Sequence, residues 1–293
     1  MFSNLFEQAM DETASRSALA PSGSSNLVVV SVGGSVLFSE NTPDTARIRS
    51  IASSINSLSS NGFRFGLVVG GGPVARTYIS AGRDLQVSNF VLDELGISIT
   101  RANAFLFLHA VEKAHPFVLT DLMQARPLVD QGKIPVFGGL LPGFTTDAVA
   151  ALLAEKLGAT FVNLSNVNGI YSSNPTGNSR AKLYRELSFE KLFELASKAA
   201  HVPGQNFPVD LVCAMILKRS KVLSMFVNAD NMPNFESAVR GQSFTGTLVD
   251  QSEEAENLQA NALESDSPDS MDEEPEIKSA KPKKKNPDDY FPF

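Results

Sequence analysis

The chain has 293 residues, 43% of them hydrophobic, and a formal charge of −7. That is enough apolar material for one large domain or two small ones, and no apolar run reaches the roughly 20 residues that a membrane-spanning helix needs. The charge belongs to one end: residues 250–293 hold 13 acidic and 5 basic side chains, the remainder 19 and 20. The remainder is therefore nearly neutral, and the tail's basic cluster is too short to argue nucleic-acid binding. Residues 251–293 are polar, rich in Ser and Pro and poor in aliphatics, so a disordered tail is expected. Its acidic block, its KPKKK cluster and its DDYFPF ending read equally as an interaction segment for an unidentified partner or as a solubilising tail. Residues 1–25 read as an N-terminal extension without the apolar segment of a secretory signal. Cys213 is the single cysteine, which excludes an internal disulfide and fits a reducing, cytoplasmic compartment. His109, His115 and His201 are too scattered for a metal site, and no Ser-His-Asp or Cys-His spacing stands out.

In chain order, Leu27 to Val32 is a continuous β-branched run, the pattern of a central parallel strand, ending at Gly33-Gly34-Ser35. Thr45 to Leu58 has helical spacing and closes at Asn61-Gly62. Phe65 to Val69 is the second strand, ending at Gly70-Gly71-Gly72, with a helix carrying Ala75, Arg76, Tyr78 and Ile79 behind it. A long helix is expected over Asn89 to Lys113, then strands at Phe117 to Leu119 and Ile134 to Phe137. Gly138-Gly139 and Pro142-Gly143 turn the chain. Thr145 or Thr146 caps a helix that begins near Asp147 and stops at Gly158. Thr160 to Leu164 is a strand leading to the polar turn Ser165 to Gly169. Beyond it, Ser188 caps a helix through Lys198, Pro208 starts one through Ser220, Val222 to Val227 is a strand, Asn234 to Val239 a short helix, and Thr247 to Val249 a last strand. Alternating strands and helices imply a mainly parallel sheet covered on both faces.

The stretch Gly138 to Asn174 organises this pattern. A strand delivers a glycine-hydroxyl loop onto a helix N-terminus, and the next strand delivers a second polar loop. Free N–H groups and the helix dipole suit an anion there; an ordinary well-capped helix has the same spacing. Strand-end glycines recur as VSVGGS, VVGGGP and VFGGLLPG, where open α/β sheets gather ligands. None is a Walker loop or GxGxxG. Physics alone indicates an anionic ligand in a strand-end crevice.

The order GGSVL, GGGxxARxYI, LGIxxTRANA, GGxxPGxTTDAVAALLAE, SNVNGIYSSNP and a terminal RGxxxxGT resembles the amino acid kinase superfamily, and within it the archaeal-type uridylate (UMP) kinases. The resemblance spans residues 26–250. It implies a three-layer α/β/α sandwich whose N-terminal half binds UMP and whose C-terminal half binds ATP with Mg²⁺, in a hexamer built as a trimer of dimers. It sets Gly33, Gly34 and Ser35 against the transferring phosphate, Gly71 on the UMP phosphate, and Gly72 and Arg76 near the ATP phosphates. Asp93 would hold the ribose hydroxyls of UMP. Leu140, Leu141, Pro142, Gly143, Phe144, Thr145 and Thr146 would wrap the uridine and its phosphate. Ser165, Asn166, Tyr171 and Asn174 would line the adenine-nucleotide side. No protein metal ligand is implied.

Such a reaction needs no general base, because a phosphate monoester with a second pKa near about 6 is already mostly dianionic at neutral pH. Positioning and charge neutralisation remain. Several positions depart from the family pattern. Ser31, Pro73 and Met215 stand where members of the superfamily carry lysine, Asn168 and Asn174 where aspartate is usual, and Phe144 where a histidine is. A kinase with another acceptor, or a nucleotide- or oxyanion-binding oligomer without turnover, is the alternative reading. Individually, Arg101 also reads as a salt-bridge partner, Asp147 as a first-turn acid complementing the helix dipole, Tyr171 as a surface aromatic, and Cys213 and Met215 as packing residues.

Overall fold

The computed structural model describes residues 26–173, 175, 178, 180–200 and 208–251. The expectations for the N-terminal extension, for the tail beyond residue 251 and for Asn174 lie outside the described residues. Met1–Ala255 form one unit and Glu256–Phe293 another, and every described residue belongs to the first.

The elements in order are β1 (Leu27–Val32), β2 (Phe38–Ser39), β3 (Thr42–Pro43), α1 (Thr45–Ser60), β4 (Arg64–Val69), α2 (Gly72–Asp84), α3 (Asn89–Leu108), β5 (Ala114–Leu119), α4 (Ala125–Asp130), β6 (Ile134–Phe137), α5 (Thr146–Leu157), β7 (Thr160–Ser165), β8 (Glu186–Ser188), α6 (Phe189–Ala200), α7 (Leu211–Ser220), β9 (Ser224–Asn228), α8 (Met232–Val239) and β10 (Thr247–Asp250). Eight strands form one sheet in the order β5-β6-β4-β1-β7-β9-β10-β8. Its neighbouring strands run parallel except β9 and β10.

Because side chains alternate along a strand, β1 feeds both cores. Leu27 and Val29 meet Ala151 and Leu153 of α5 and Cys213 and Leu217 of α7 on one face. Val28, Val30 and Val32 meet Ile51 and Ile55 of α1, Phe107 of α3 and Phe235 of α8 on the other. The expected three-layer α/β/α sandwich with a mainly parallel sheet is therefore what the chain forms.

Local chemistry sets most boundaries. Asp44 caps α1 by accepting from the Arg47 N–H, Ser188 caps α6 through the Lys191 N–H, and Gly158 ends α5 in the left-handed region at φ 61°. Three expectations need correction. The long helix stops at Leu108, not Lys113; Val111 is buried in the turn that follows, so the apolar pattern outlasts the helix. The helix expected from Pro208 starts at Leu211, since the Asp210 carboxylate accepts from the Val212 and Cys213 N–H groups and fixes the cap there. Met215 is 45% exposed instead of packed, because Cys213, Ala214, Ile216 and Leu217 already supply the buried face of α7.

The sheet register positions the site. Val32 lies opposite Val69 on one side and Leu164 on the other. The loops that follow β1, β4 and β7 therefore leave the sheet side by side.

Candidate active site

The first two glycine loops interlock. Gly33 donates its N–H to the Leu164 carbonyl at 2.9 Å, and Gly70 donates to the Val32 carbonyl at 2.9 Å, extending the ladder past the strand ends. A Cβ on Gly72 would lie 2.5 Å from the Gly34 oxygen, and one on Gly70 would lie 2.6 Å from the Gly34 nitrogen. Gly72 also holds φ +64°, so glycine is required there by conformation as well as by space.

A cavity of about 780 Å³ opens over these loops. It brings together Gly33, Gly34, Ser35, Gly71, Gly72, Arg76, Thr146, Ser165, Asn166 and Tyr171, drawn from four separate segments of the chain. Arg76 sits one turn into α2, four residues beyond Gly72, and carries no ion pair among the described residues. Tyr171 is half-buried and held by a bridge to Leu183.

The remaining expected site residues gather elsewhere. Leu140 to Thr145 and Asp93 are not part of that cavity wall. The Asp93 carboxylate accepts from the Gly143 N–H at 2.8 Å, tying the start of α3 to this loop, while Leu141 and Phe144 are exposed. The third glycine pair serves packing: Gly139 donates to the Thr100 hydroxyl at 2.6 Å, and a Cβ on Gly138 would come within 2.7 Å of that hydroxyl. Arg101 makes no salt bridge among the described residues but donates to the Gly139 carbonyl at 3.1 Å and the Leu140 carbonyl at 3.5 Å. Thr145, not Thr146, caps α5 by accepting from the Ala148 N–H, and its hydroxyl donates to Asp210. Thr146, the first helical residue, faces the cavity.

Asp147 and Asn163 also line the cavity, and sequence reasoning did not place them there. Ser31 and Asn163 are register partners on β1 and β7, so both side chains leave the same face of the sheet, toward α5. Ser31 donates to Asp147 Oδ1 at 2.6 Å and Asn163 donates to the same oxygen at 2.9 Å. Burial pushes the Asp147 carboxyl up to about 6; the Ser31 hydrogen bond opposes the rise, the Asp210 charge adds to it, and the Asn163 hydrogen bond opposes it again. Asn163 Oδ1 is buried without a hydrogen-bond partner among the described residues, an uncommon state that points to something bound beside it. Cys213 is fully buried, and burial pushes its thiol well up with the Asp147 and Asp210 charges adding, so it is an inert packing residue. The available signal was a polar residue inside each of two apolar strands.

Chemically, this is a crevice of backbone N–H groups and neutral polar side chains, with Arg76 and Lys198 on its walls and a reluctant carboxylate at the base. Such a lining accepts a polyanion. Among the described residues no group of three His, Cys, Asp or Glu side chains forms a metal cage, and none of the helices is long and apolar enough to cross a membrane.

Comparison with known proteins narrows the class. The chain is 40% identical over 225 residues to the uridylate kinase of Thermococcus sibiricus, covering 76% of this chain and 99% of that one. It is likewise 40% identical over 223 residues to the uridylate kinase of Archaeoglobus fulgidus, again covering 76% and 99%. The crystal structure of the Archaeoglobus fulgidus enzyme superposes with a TM-score of 0.68, covering 76% of this chain and 99% of that chain at 38% identity. A UMP kinase structure from Bacillus anthracis, 20% identical, shares the fold with a TM-score of 0.67 over 78% of this chain and 97% of its own. The model of the amino acid kinase family matches residues 26–228, the stretch that builds both glycine loops, the cavity and the polar residues beneath it, and the chain therefore belongs to that family.

Proposed function

We propose that the protein is a UMP kinase, transferring the γ-phosphoryl group of ATP to UMP to give UDP and ADP. The observation that carries this reading is the single cavity in which two interlocked glycine loops, Arg76 and the polar β7 turn meet, in a chain about 40% identical to uridylate kinases across nearly their whole length. In the reaction an oxygen of the UMP phosphate attacks the γ-phosphorus, the bond from that phosphorus to the β,γ-bridging oxygen breaks, and ADP leaves with the electron pair. The Gly34, Ser35, Gly71 and Gly72 amides bind phosphate oxygens, with Gly33 holding the first loop on the sheet through its bond to Leu164, and Arg76 offsets charge in a loose, in-line transition state. The N-terminal half, with Asp93 and the 140–146 loop, takes UMP; the C-terminal half, with Ser165, Asn166 and Tyr171, takes ATP; the whole kinase domain is residues 26–250.

Mg²⁺ suits this donor set as a passenger on ATP. Such ions are usually held by one or two carboxylates plus substrate phosphates, and keep several waters; Asn163 Oδ1, which has no partner among the described residues, is an acceptor ready for one of those waters. When bound, the ion would supply charge neutralisation to the phosphates, with Asn163 holding it through water. Purified protein with MgATP should convert UMP to UDP, with UMP preferred over CMP, AMP and GMP, as read by phosphorus NMR across an acceptor panel. No UDP alongside phosphorylation of another acceptor overturns the substrate assignment. Nucleotide binding with no turnover on any acceptor supports the alternative of a binding protein, for which the uncharged Ser31 and Pro73 near the loops speak.

The working form is proposed as a homo-oligomer, a hexamer built as a trimer of dimers, in the cytoplasm. Tyr78, Phe90, Phe105 and Phe117 are 52%, 59%, 53% and 66% exposed on α2, α3 and β5, large apolar side chains that an interface would cover. Light scattering should give an assembly larger than one chain, and Phe105→Glu with Phe90→Glu should dissociate it. A monomer at working concentration would overturn the assembly.

A further inference from the structure

We infer that Lys198 is the cation that grips the polyphosphate of the donor nucleotide. The inference rests on the kinase reading above.

Arg76 and Lys198 are the two Lys or Arg side chains among the described residues lining the cavity. They reach it from different elements: Arg76 from the first turns of α2, beside the glycine loops, and Lys198 from the last turn of α6. Leu195, Lys198 and Ala199 fall at i, i+3 and i+4, one face of α6, and all three line the cavity. Lys198 is thus placed by the helix face that closes this wall.

The wall needs a cation. Its other polar lining, Ser165, Asn166, Tyr171, Ser172 and Ser173, is uncharged. Ser31 is committed to Asp147, and Arg101 is spent on the Gly139 and Leu140 carbonyls. Among the described residues, a strongly anionic polyphosphate entering here meets Arg76 on one side and, without Lys198, only neutral groups on the other.

Lys198 is also free to move. It pairs with Glu194, but Glu194 is held at the same time by Lys191 at 2.9 Å. The hydrogen bonds of Lys198 and then Lys191 hold the Glu194 carboxyl down to about 2. When Lys198 swings to a phosphate, Glu194 keeps Lys191, so no carboxylate is stranded. The side chain is 71% exposed, and an exposed pair of this kind is weak. Lys191 is therefore a parking partner's anchor, and Lys198 is the mobile member.

The test uses the full chain with Lys198→Ala, Lys198→Arg, Lys191→Ala and Glu194→Gln. Calorimetry measures binding of a non-hydrolysable ATP analogue and of adenosine, and steady-state kinetics gives KM for ATP and for UMP. Lys198→Ala should weaken the ATP analogue and raise the KM for ATP by about 10-fold, the loss of one charge-assisted contact. Adenosine affinity and the KM for UMP should stay within about 2-fold on the same scale. Lys198→Arg should recover most of the loss, Lys191→Ala should behave as wild type, and Glu194→Gln should bind ATP at least as tightly. Unchanged ATP affinity in Lys198→Ala overturns the inference, as does an equal loss of adenosine, which would mean a damaged helix end. If the wild-type protein binds no ATP analogue, the kinase reading fails and this inference fails with it. Phosphorylation of an acceptor other than UMP would sink the substrate assignment alone.

Discussion

Arg76→Ala should lower turnover by about 10²-fold, about 2.7 kcal/mol of transition-state stabilisation, while UMP affinity changes much less. Arg76 stands one helical turn beyond Gly72, on the cavity wall, with no ion pair to compete for it among the described residues. Its neighbours cannot replace it: Pro73 has no charge and Ser31 is buried on Asp147. A guanidinium bridges two phosphate oxygens and stays charged at any working pH. Lysine at this position should restore only part of the rate, because it offers a point charge where a fork is needed. Steady-state kinetics on both variants, with thermal melts to check folding, decides the matter. Wild-type turnover in Arg76→Ala would move the burden to the metal and the loop amides.

Asp147→Asn should give a protein that is more stable at pH 8 and much less active. The carboxyl titrates at about 6 in the folded chain against 3.8 as its ordinary value. A raised carboxyl pKa means that folding favours the protonated form. Stability is therefore lost as pH rises from about 4 to 6, and the full cost is present above that. The shift corresponds to about 3 kcal/mol, and asparagine, which accepts less strongly from Ser31, should recover roughly 1–3 kcal/mol of it at pH 8. At pH 4 the gain should vanish. Activity should fall at least about 10-fold, as expected where a strained charge serves the site. Chemical denaturation at the two pH values, beside the rate, tests both halves; equal stability gains at pH 4 and pH 8 would contradict the assignment of the cost to this charge.

The parts of the fold that were legible in the sequence are those written in local chemistry. The β-branched run of β1 reads as a buried parallel strand, and Gly158 reads as the end of α5 because a left-handed cap needs it. What went unread has a tertiary cause. β8 is three residues long, with only Leu187 buried, and exists because β10 pairs with it. The β2–β3 hairpin is two residues a side and ends on Pro43. α4 holds Pro127 within its first turn, which as sequence resembles a break. The site divides in the same way. Glycine loops announce themselves, whereas Ser31 and Asn163 acquire meaning only once the register sets them on adjacent strands beneath Asp147. Lys198 gave no signal at all: a lysine near a helix end is ordinarily a solvated cation balancing the dipole.

The sheet order also divides the chain in time. β5, β6, β4 and β1, all made before residue 138, occupy one side of the sheet, and β7, β9, β10 and β8 the other. On a ribosome the first four strands can assemble while the rest is still unmade, since domains fold from the N-terminus as it emerges. β1 then carries an open edge, the kind of surface that recruits foreign strands. The segment synthesised next is α5, whose Leu153 packs against Gly66 of β4, and directly behind it, after Gly158 and Ala159, comes β7, the strand that closes that edge. The vulnerable interval in the life of the nascent chain is thus only as long as one loop and one helix.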